Sequence, residues 1–248
     1  MSPPFSPLPA PPWPHLAPGI VHLWQLHTPA AAPVIPQWQR WLTAEEQARA
    51  ARFHRDRDRH TFILSRGGLR WLVGQYLGLD PAAVAFRYGD RGKPYLAPAH
   101  SPQSGPGLEF NLAHSGDWVV YGFTQGTAIG VDVEAIAPRN HGEGLIQRCL
   151  TAQEQQTLSS DPASRQRQFF SYWTAKEAYL KATGQGLSYP MASVEVAWTP
   201  DASQARLVQP STAQDWTLQP WQPDEATAAA VCVAATVSEM RWGQVPLG

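Results

Sequence analysis

Charge is scarce in this chain of 248 residues: Asp, Glu, Lys and Arg make up 16% of it and nearly cancel, leaving a net charge of −1. That balance supplies no bulk field to draw the protein onto nucleic acid or a membrane surface. Cysteine is scarcer still. Cys149 and Cys232 stand far apart with no metal-site spacing, which argues against a disulfide framework or a cysteine-based zinc site. Reduced thiols in a cytosolic protein are the simpler reading. The opening MSPPFSPLPAPPWPHLAP has no basic leading stretch and no continuous apolar run, so it reads as neither a signal peptide nor a membrane span. A soluble, cytoplasmic protein is expected. No G-x-S-x-G elbow occurs anywhere, which removes one serine-hydrolase signature. In YGDRGKP, Arg87 stands where a Walker loop needs glycine and Pro94 where it needs Ser or Thr. Lys93 alone could reach a phosphate from that turn.

Apolar residues, by contrast, make up 43% of the chain, enough for one large core or two smaller ones. Prolines crowd residues 1–18, which predicts an extended, mobile arm. Residues 20–27 read as a first strand. TAEEQARAARF (43–53) opens with Thr43 and Glu46, the signature of a capping box. A long helix is predicted over 56–77, where Phe62, Leu69, Leu72, Val73 and Tyr76 recur at helical spacing. Arg59, Arg66 and Arg70 share part of another face. Two short strands are expected in 78–96, two more in 108–124 joined at HSGD, and another at 128–134. A helix or two fall within 143–158. The clearest helix is 165–183, with Gly184 placed to cap it. Further strands are predicted at 193–198, 205–209, 215–219 and 228–237. Each long helix leads through a Leu, a Pro and an Ala into a strand, a weak hint of an internal repeat.

The stretch AIGVDVEAI (128–136) poses a question. Ile129, Val131 and Val133 alternate as in a buried strand, yet Asp132 and Glu134 fill two intervening positions and point the same way. Two carboxylates about 4–6 Å apart repel by about 1 kcal/mol in water and a few kcal/mol at intermediate dielectric. A raised pKa, a bound cation such as magnesium, or simple exposure at a strand end would each relieve this. In the helix 165–183, Trp173, Glu177 and Lys181 are four residues apart and form one column. The pair is either an ordinary exposed i,i+4 contact or a third carboxylate for a metal with a lysine beside it for phosphate. His114 and Ser115 end the strand FNLAHS.

Together GKP (92–94), FNLAHS (110–115), GVDVE (130–134) and FSYWTAKEAYLKATGQGL (170–187), with about forty residues between the last two, resemble the 4'-phosphopantetheinyl transferases. More narrowly they look like the two-half, surfactin-synthetase-activating type. The likeness covers roughly residues 40–200 and includes ARFHRDRDRHTFILSRGGLR. It implies an enzyme that moves the phosphopantetheine arm of coenzyme A onto a serine of an acyl or peptidyl carrier protein, releasing adenosine 3',5'-bisphosphate. It implies Mg²⁺ held by Asp132, Glu134 and Glu177. Glu177 or a metal-bound water is then the base, and Lys181 contacts phosphates. Arg49, Lys93, His114, Ser115, Asp132 and Lys181 are implied in binding coenzyme A, with Lys93, His114 and Arg49 matching positions that hold its nucleotide and 3'-phosphate, and Glu46 stands where relatives of this type often carry a basic residue.

The expected fold is α+β, a pseudo-dimer of two similar halves, each a small antiparallel sheet on a long helix. The expected boundaries are an arm at 1–18, a coenzyme A half at 19–125 and a metal and catalytic half at 126–248. One chain would hold a complete site, so a monomer is expected. Carrier proteins, as acidic helical bundles, are expected to meet region 139–172, with Arg148, Arg165 and Arg167 at its rim. The rival is a non-catalytic module that binds coenzyme A or a carrier, which would lack a ligand or the lysine. A second rival, a magnesium kinase for small molecules, lacks a glycine loop here.

Overall fold

Local periodicity carries most of the secondary structure. The structure, a computed structural model, describes residues 6–8, 13, 16–89, 92–101, 105–136, 143–186, 189–199, 204–210 and 214–247. Its elements run β1 (Ser6–Pro7), β2 (Ile20–His27), α1 (Ile35–Trp41), α2 (Ala44–Ala51), α3 (Asp56–Leu77), β3 (Phe86–Tyr88), β4 (Pro94–Leu96), β5 (Leu108–Ser115), β6 (Trp118–Gln125) and β7 (Ile129–Ala135). They continue as α4 (Glu143–Cys149), α5 (Ala152–Thr157), α6 (Pro162–Thr183), β8 (Glu195–Trp198), β9 (Ala205–Gln209), β10 (Thr217–Trp221), β11 (Thr227–Val233) and β12 (Glu239–Gln244). The class is α+β. No helix among the described residues is long and apolar enough to cross a membrane.

The strands form two five-stranded sheets, ordered β1-β12-β2-β6-β5 and β7-β11-β10-β9-β8, and β3 pairs with β4 apart from them. Alternation along the strands divides the core. Leu69 and Leu72 of α3 pack with Trp24, Tyr121 and Phe123 on one face of the first sheet. Phe169, Tyr179 and Leu180 of α6 pack with Ala228, Ala230 and Cys232 on one face of the second. The other faces meet: Val21, Leu23 and Val120 join Ile129, Val131, Val133 and Val231 in a third cluster. Each large side chain there contributes roughly 1.5–3 kcal/mol by leaving water, so the sheets hold together between two outer helices.

Several devices occur twice. Thr43 and Glu46 form a capping box on α2, and Thr151 and Glu154 form one on α5. Each glutamate then accepts from a buried cation on the following long helix: Glu46 from Arg70 at 2.8 Å, Glu154 from Lys176. Both long helices end on a left-handed glycine, Gly78 (φ 67°) and Gly184 (φ 74°), where a side chain would be strained.

Three expectations change. Arg70 is 2% exposed and bonded to Glu46 and the Val84 carbonyl, so it lies in the core rather than on another helix face. The strand predicted at 228–237 ends at Val233, and β12 follows as a separate strand parallel to β2. The last strand thus completes the first sheet. The start of the chain also docks in part: β1 runs parallel to β12, and Trp13 lies 4.3 Å from Trp24 and 5.4 Å from both Trp71 and Tyr76, ring to ring. Cys149 and Cys232 are free, buried thiols.

Candidate active site

Strand β7 is an edge of the second sheet. Its odd-numbered residues from Ile129 to Val133 face the first sheet, and the even-numbered Gly130 and Asp132 turn to α6. A Cβ on Gly130 would stand 2.0 Å from the Ala178 carbonyl oxygen and 2.4 Å from the Ala182 nitrogen. Only glycine permits that approach of helix to strand. The close approach delivers the side chains: Lys181 Nζ donates to Asp132 Oδ1 at 2.6 Å. Glu177 sits one turn back on the same helix.

These carboxylates are removed from water. Asp132 is 4% exposed and Glu177 5%. Asp132 Oδ2 and Glu177 Oε1 are buried with no hydrogen-bond partner. Burial pushes Asp132 up to about 6, against the pull of Lys181 and with a further push from the Glu134 charge. Burial also pushes Glu177 up to about 7; the Asp132 charge adds to this and Lys181 opposes it. Exposure at a strand end is therefore excluded as the answer for Asp132, and the i,i+4 pair Glu177–Lys181 is no surface ornament.

Glu134 is positioned from the first sheet. Ser115 Oγ donates to Glu134 Oε2 at 2.8 Å and accepts from the Ala135 N–H at 3.1 Å. Asn111, on the same strand β5, accepts the Val131 N–H at 2.9 Å through Oδ1. Two side chains thus tie the edge strands β5 and β7 where no backbone ladder runs.

The chain has three lysines, and each ammonium is engaged. Lys176 serves the core ion pair and Lys181 serves Asp132. Lys93 donates to the carbonyls of Lys181 at 2.9 Å and Ile129 at 3.3 Å, which pins the GKP turn to the last turn of α6 and the start of β7. Burial lowers its pKa, with Glu109 opposing. His114 keeps accessible surface at the end of β5. Burial first, then the charges of Lys181 and Arg66, lower its pKa, and Asp58 opposes them. The imidazole is neutral at pH 7.

Asp132, Glu177 and Lys181 are thus brought together, with Ser115 and Glu134 joined beside them and Lys93 and His114 adjoining. Arg49 is set apart: its guanidinium lies over the Phe62 ring at 5.2 Å. Among the described residues no three His, Cys, Asp or Glu side chains converge into a ready-made metal cage. The sequence reading gave Arg66 no role of its own, although its charge is felt at His114. Its guanidinium lies 5.8 Å from the Phe62 centroid and 5.3 Å from that of Tyr88, beside His114. Its spacing from Arg70 gave no signal, because both fall on one helix face and only the packing separates their roles. Glu46 has a structural task here as cap and partner of Arg70.

Residues 128–233 match the family described as the 4'-phosphopantetheinyl transferase superfamily, and residues 31–124 match 4'-phosphopantetheinyl transferase, N-terminal. The 4'-phosphopantetheinyl transferase HetI of Nostoc sp. is 38% identical over 92% of this chain and 93% of its own length. The 4'-phosphopantetheinyl transferase psf-1 of Bacillus pumilus is 32% identical over 86% and 87%, and the 4'-phosphopantetheinyl transferase Sfp of Bacillus subtilis 26% over 78% and 83%. Matched on both sides of residue 125 and almost end to end by a relative at that identity, the chain belongs to the 4'-phosphopantetheinyl transferase superfamily.

Proposed function

We propose that this protein transfers the 4'-phosphopantetheine arm of coenzyme A to a serine hydroxyl of an apo acyl or peptidyl carrier protein. The observation that carries this is the pair of orphaned, buried carboxylate oxygens, Asp132 Oδ2 and Glu177 Oε1, with Lys181 between their chains. In the reaction the serine oxygen forms a bond to the phosphorus that bears the pantetheine arm. The bond from that phosphorus to the bridging pyrophosphate oxygen breaks. Glu177, with a pKa of about 7, accepts the serine proton. Adenosine 3',5'-bisphosphate leaves with the bridging oxygen, and Lys181 lies where it can meet the charge that builds there.

The family implies magnesium, and the donor set suits it. Asp132, Glu134 and Glu177 offer only oxygen. Magnesium keeps several waters and takes one or two carboxylates plus substrate phosphates, so it needs no closed protein cage. When bound, the cation neutralises the pyrophosphate oxygens and polarises the reacting phosphorus. Ser115, which donates to Glu134, would orient it as a ligand. Lys93 and His114 would meet the nucleotide beside the carboxylates and Arg49 would meet it farther off, over the Phe62 ring, with Lys93 acting mainly by fixing the GKP turn.

The two-half reading explains the repeated devices. The capping boxes, the buried Glu–cation pairs and the left-handed glycines fall in the same order in 19–125 and in 126–233, as in one unit used twice. The site then lies at the junction, a monomer suffices, and the cytoplasm suits it. For the carrier, the rim is Arg148, Arg165 and Arg167. Arg165 now pairs with Glu143 at 3.2 Å in an exposed contact that an acidic partner could displace at little cost. Residues 139–142 of that region lie outside the described residues.

Purified protein incubated with coenzyme A, Mg²⁺ and an apo carrier tests the reading. The expected result is one adenosine 3',5'-bisphosphate released per carrier modified. No release with apo carriers of fatty-acid, polyketide and non-ribosomal peptide pathways overturns it, and coenzyme A binding without transfer would mark a binding module.

A further inference from the structure

The turn between β5 and β6 carries Ser115 at its entrance and Trp118 at its exit, and it is gripped from several sides. Gly116 is left-handed (φ 58°), and a Cβ there would stand 2.9 Å from that of Ala135, so the turn lies against the end of β7. Thr28, just past β2, donates to the Asp117 carbonyl through its N–H at 2.8 Å and its hydroxyl at 3.2 Å. Arg57 of α3 reaches the Asp117 carboxylate at 2.9 Å, an exposed pair that weighs little. One hold comes from far along the chain: Trp118 Nε1 donates to Asp224 Oδ2 at 2.6 Å. Asp224 lies in the turn between β10 and β11, and its Oδ1 accepts the Ala226 N–H at 2.9 Å, which sets the angle of the carboxylate. An ionised acceptor makes the bond to Trp118 one of the stronger kind. The His27 ring, 5.0 Å away, packs on the indole from the first sheet.

These contacts close a ring around the end of β7. Ser115 and Trp118 face each other across the β5–β6 ladder. Asp224, bound to Trp118, stands shortly before Thr227, the strand partner of Ala135. Ser115 Oγ closes the circuit, donating to Glu134 at 2.8 Å and accepting the Ala135 N–H at 3.1 Å. We infer that Trp118 and Asp224 are positioning residues: their bond seats the turn so that Ser115 holds Glu134 as a ligand for the magnesium ion. This rests on the transferase reading above. Glu134 is the carboxylate that needs the support. Asp132 is buried and bonded to Lys181, whereas Glu134 is half-buried toward the end of β7 and is reached by Ser115 from the other sheet. Breaking the Trp118–Asp224 bond opens the ring, and Ser115 can then drift from Glu134. Orienting partners of a ligand act on metal affinity in this way, here through one further side chain.

The test uses Trp118→Phe, which keeps a ring and removes the donor, and Asp224→Asn, whose single oxygen cannot serve both Ala226 and Trp118. Each is expected to raise the Mg²⁺ concentration for half-maximal transfer by about three- to tenfold, below the range for a ligand's own orienting partner. The effect on kcat at saturating Mg²⁺ should be smaller. Both variants break one bond, so the double variant should shift the midpoint no further than the larger single shift. A readout free of metal, donor and carrier is amide exchange at Ala135, whose N–H donates to Ser115. Each variant should speed that exchange by about tenfold and leave Val231, paired on both sides within the second sheet, at its wild-type rate. Unchanged exchange at Ala135, or an equal rise at Ala135 and Val231, overturns the inference. A lower kcat at an unchanged Mg²⁺ midpoint, or additive shifts in the double variant, does so too. Should Trp118→Phe fail to fold, Asp224→Asn, in an exposed turn, decides. Should wild type modify no carrier while Ala135 responds as expected, the transferase reading fails and the seating of Ser115 by Trp118 and Asp224 stands.

Discussion

Lys181 donates to Asp132 across 2.6 Å, and Glu177, one helical turn earlier, has a buried oxygen with no hydrogen-bond partner among the described residues. One cation thus stands against two buried carboxylates, with a third, Glu134, fixed by Ser115 nearby. The site is built with an excess of negative charge, which a divalent cation would balance.

The geometry depends on a missing side chain. Gly130→Ala places a methyl 2.0 Å from backbone that no rotamer change can relieve, so α6 must move off β7. We expect a loss of at least about 3 kcal/mol in chemical denaturation, the upper range for overpacking, with activity lost even where the variant folds. Wild-type stability and turnover in this variant would contradict the described approach.

Activity should have an acidic limb set by the buried carboxylates. Burial raises the Glu177 pKa, and Glu177 must lose its proton to act as a base, so kcat/KM should fall on the acid side, at a pH that bound Mg²⁺ draws down from the metal-free value of about 7. Lys181 holds the pKa of both Glu177 and Asp132 down. Lys181→Met should therefore move the limb to higher pH, besides lowering the rate. A limb that stays or moves to lower pH in the pH–rate profile would refute the assignment.

Ser115 Oγ donates to Glu134 and accepts from the Ala135 N–H, so on the proposed function it orients Glu134. Ser115→Ala should raise the Mg²⁺ concentration for half-maximal activity by roughly ten- to a hundredfold, as loss of a ligand's orienting bond does. Thermal stability should change little. An unchanged Mg²⁺ titration would remove Glu134 from the ion's surroundings.

His22 gives the fold an acid sensitivity separate from the site. It is fully buried against the Tyr76 hydroxyl at 2.8 Å, and burial, with help from Arg241 and against Glu239, lowers its pKa to about 4. Its unfolded value is near 6.5. Between the two the unfolded chain binds more protons, so this contribution is full above about 6.5 and is lost as pH falls toward 4. The amount is on the order of 3 kcal/mol. Asp132 and Glu177, with raised values, act in the opposite direction over an overlapping range. The difference between wild type and His22→Gln in denaturant melts from pH 4 to 7 isolates the histidine, and parallel curves would contradict its buried, neutral state.

Local patterns made much of this legible. The capping box at Thr43 and Glu46, the helix 56–77 and the cap at Gly184 depend on neighbours within a turn, and they appear as expected. The Glu177–Lys181 spacing likewise placed both beside the helix's buried side. Longer-range facts were hidden. Nothing in EMRWGQ announces that β12 returns to pair in parallel with a strand more than two hundred residues earlier. Arg66 and Arg70 look alike in sequence, and only the position of Glu46 and Val84 tells the core arginine from the unpaired one. Trp13 and β1 showed that a proline-rich start can still dock, because its partners come from β2, α3 and β12.

The most direct measurement is the intact mass of an apo carrier after incubation with coenzyme A and Mg²⁺, using wild type, Glu177→Gln and wild type with chelator. The account predicts a gain of one phosphopantetheine on the carrier serine with wild type alone, reduced at least about a hundredfold in rate in the other two. Undiminished transfer by Glu177→Gln in the presence of chelator would contradict it.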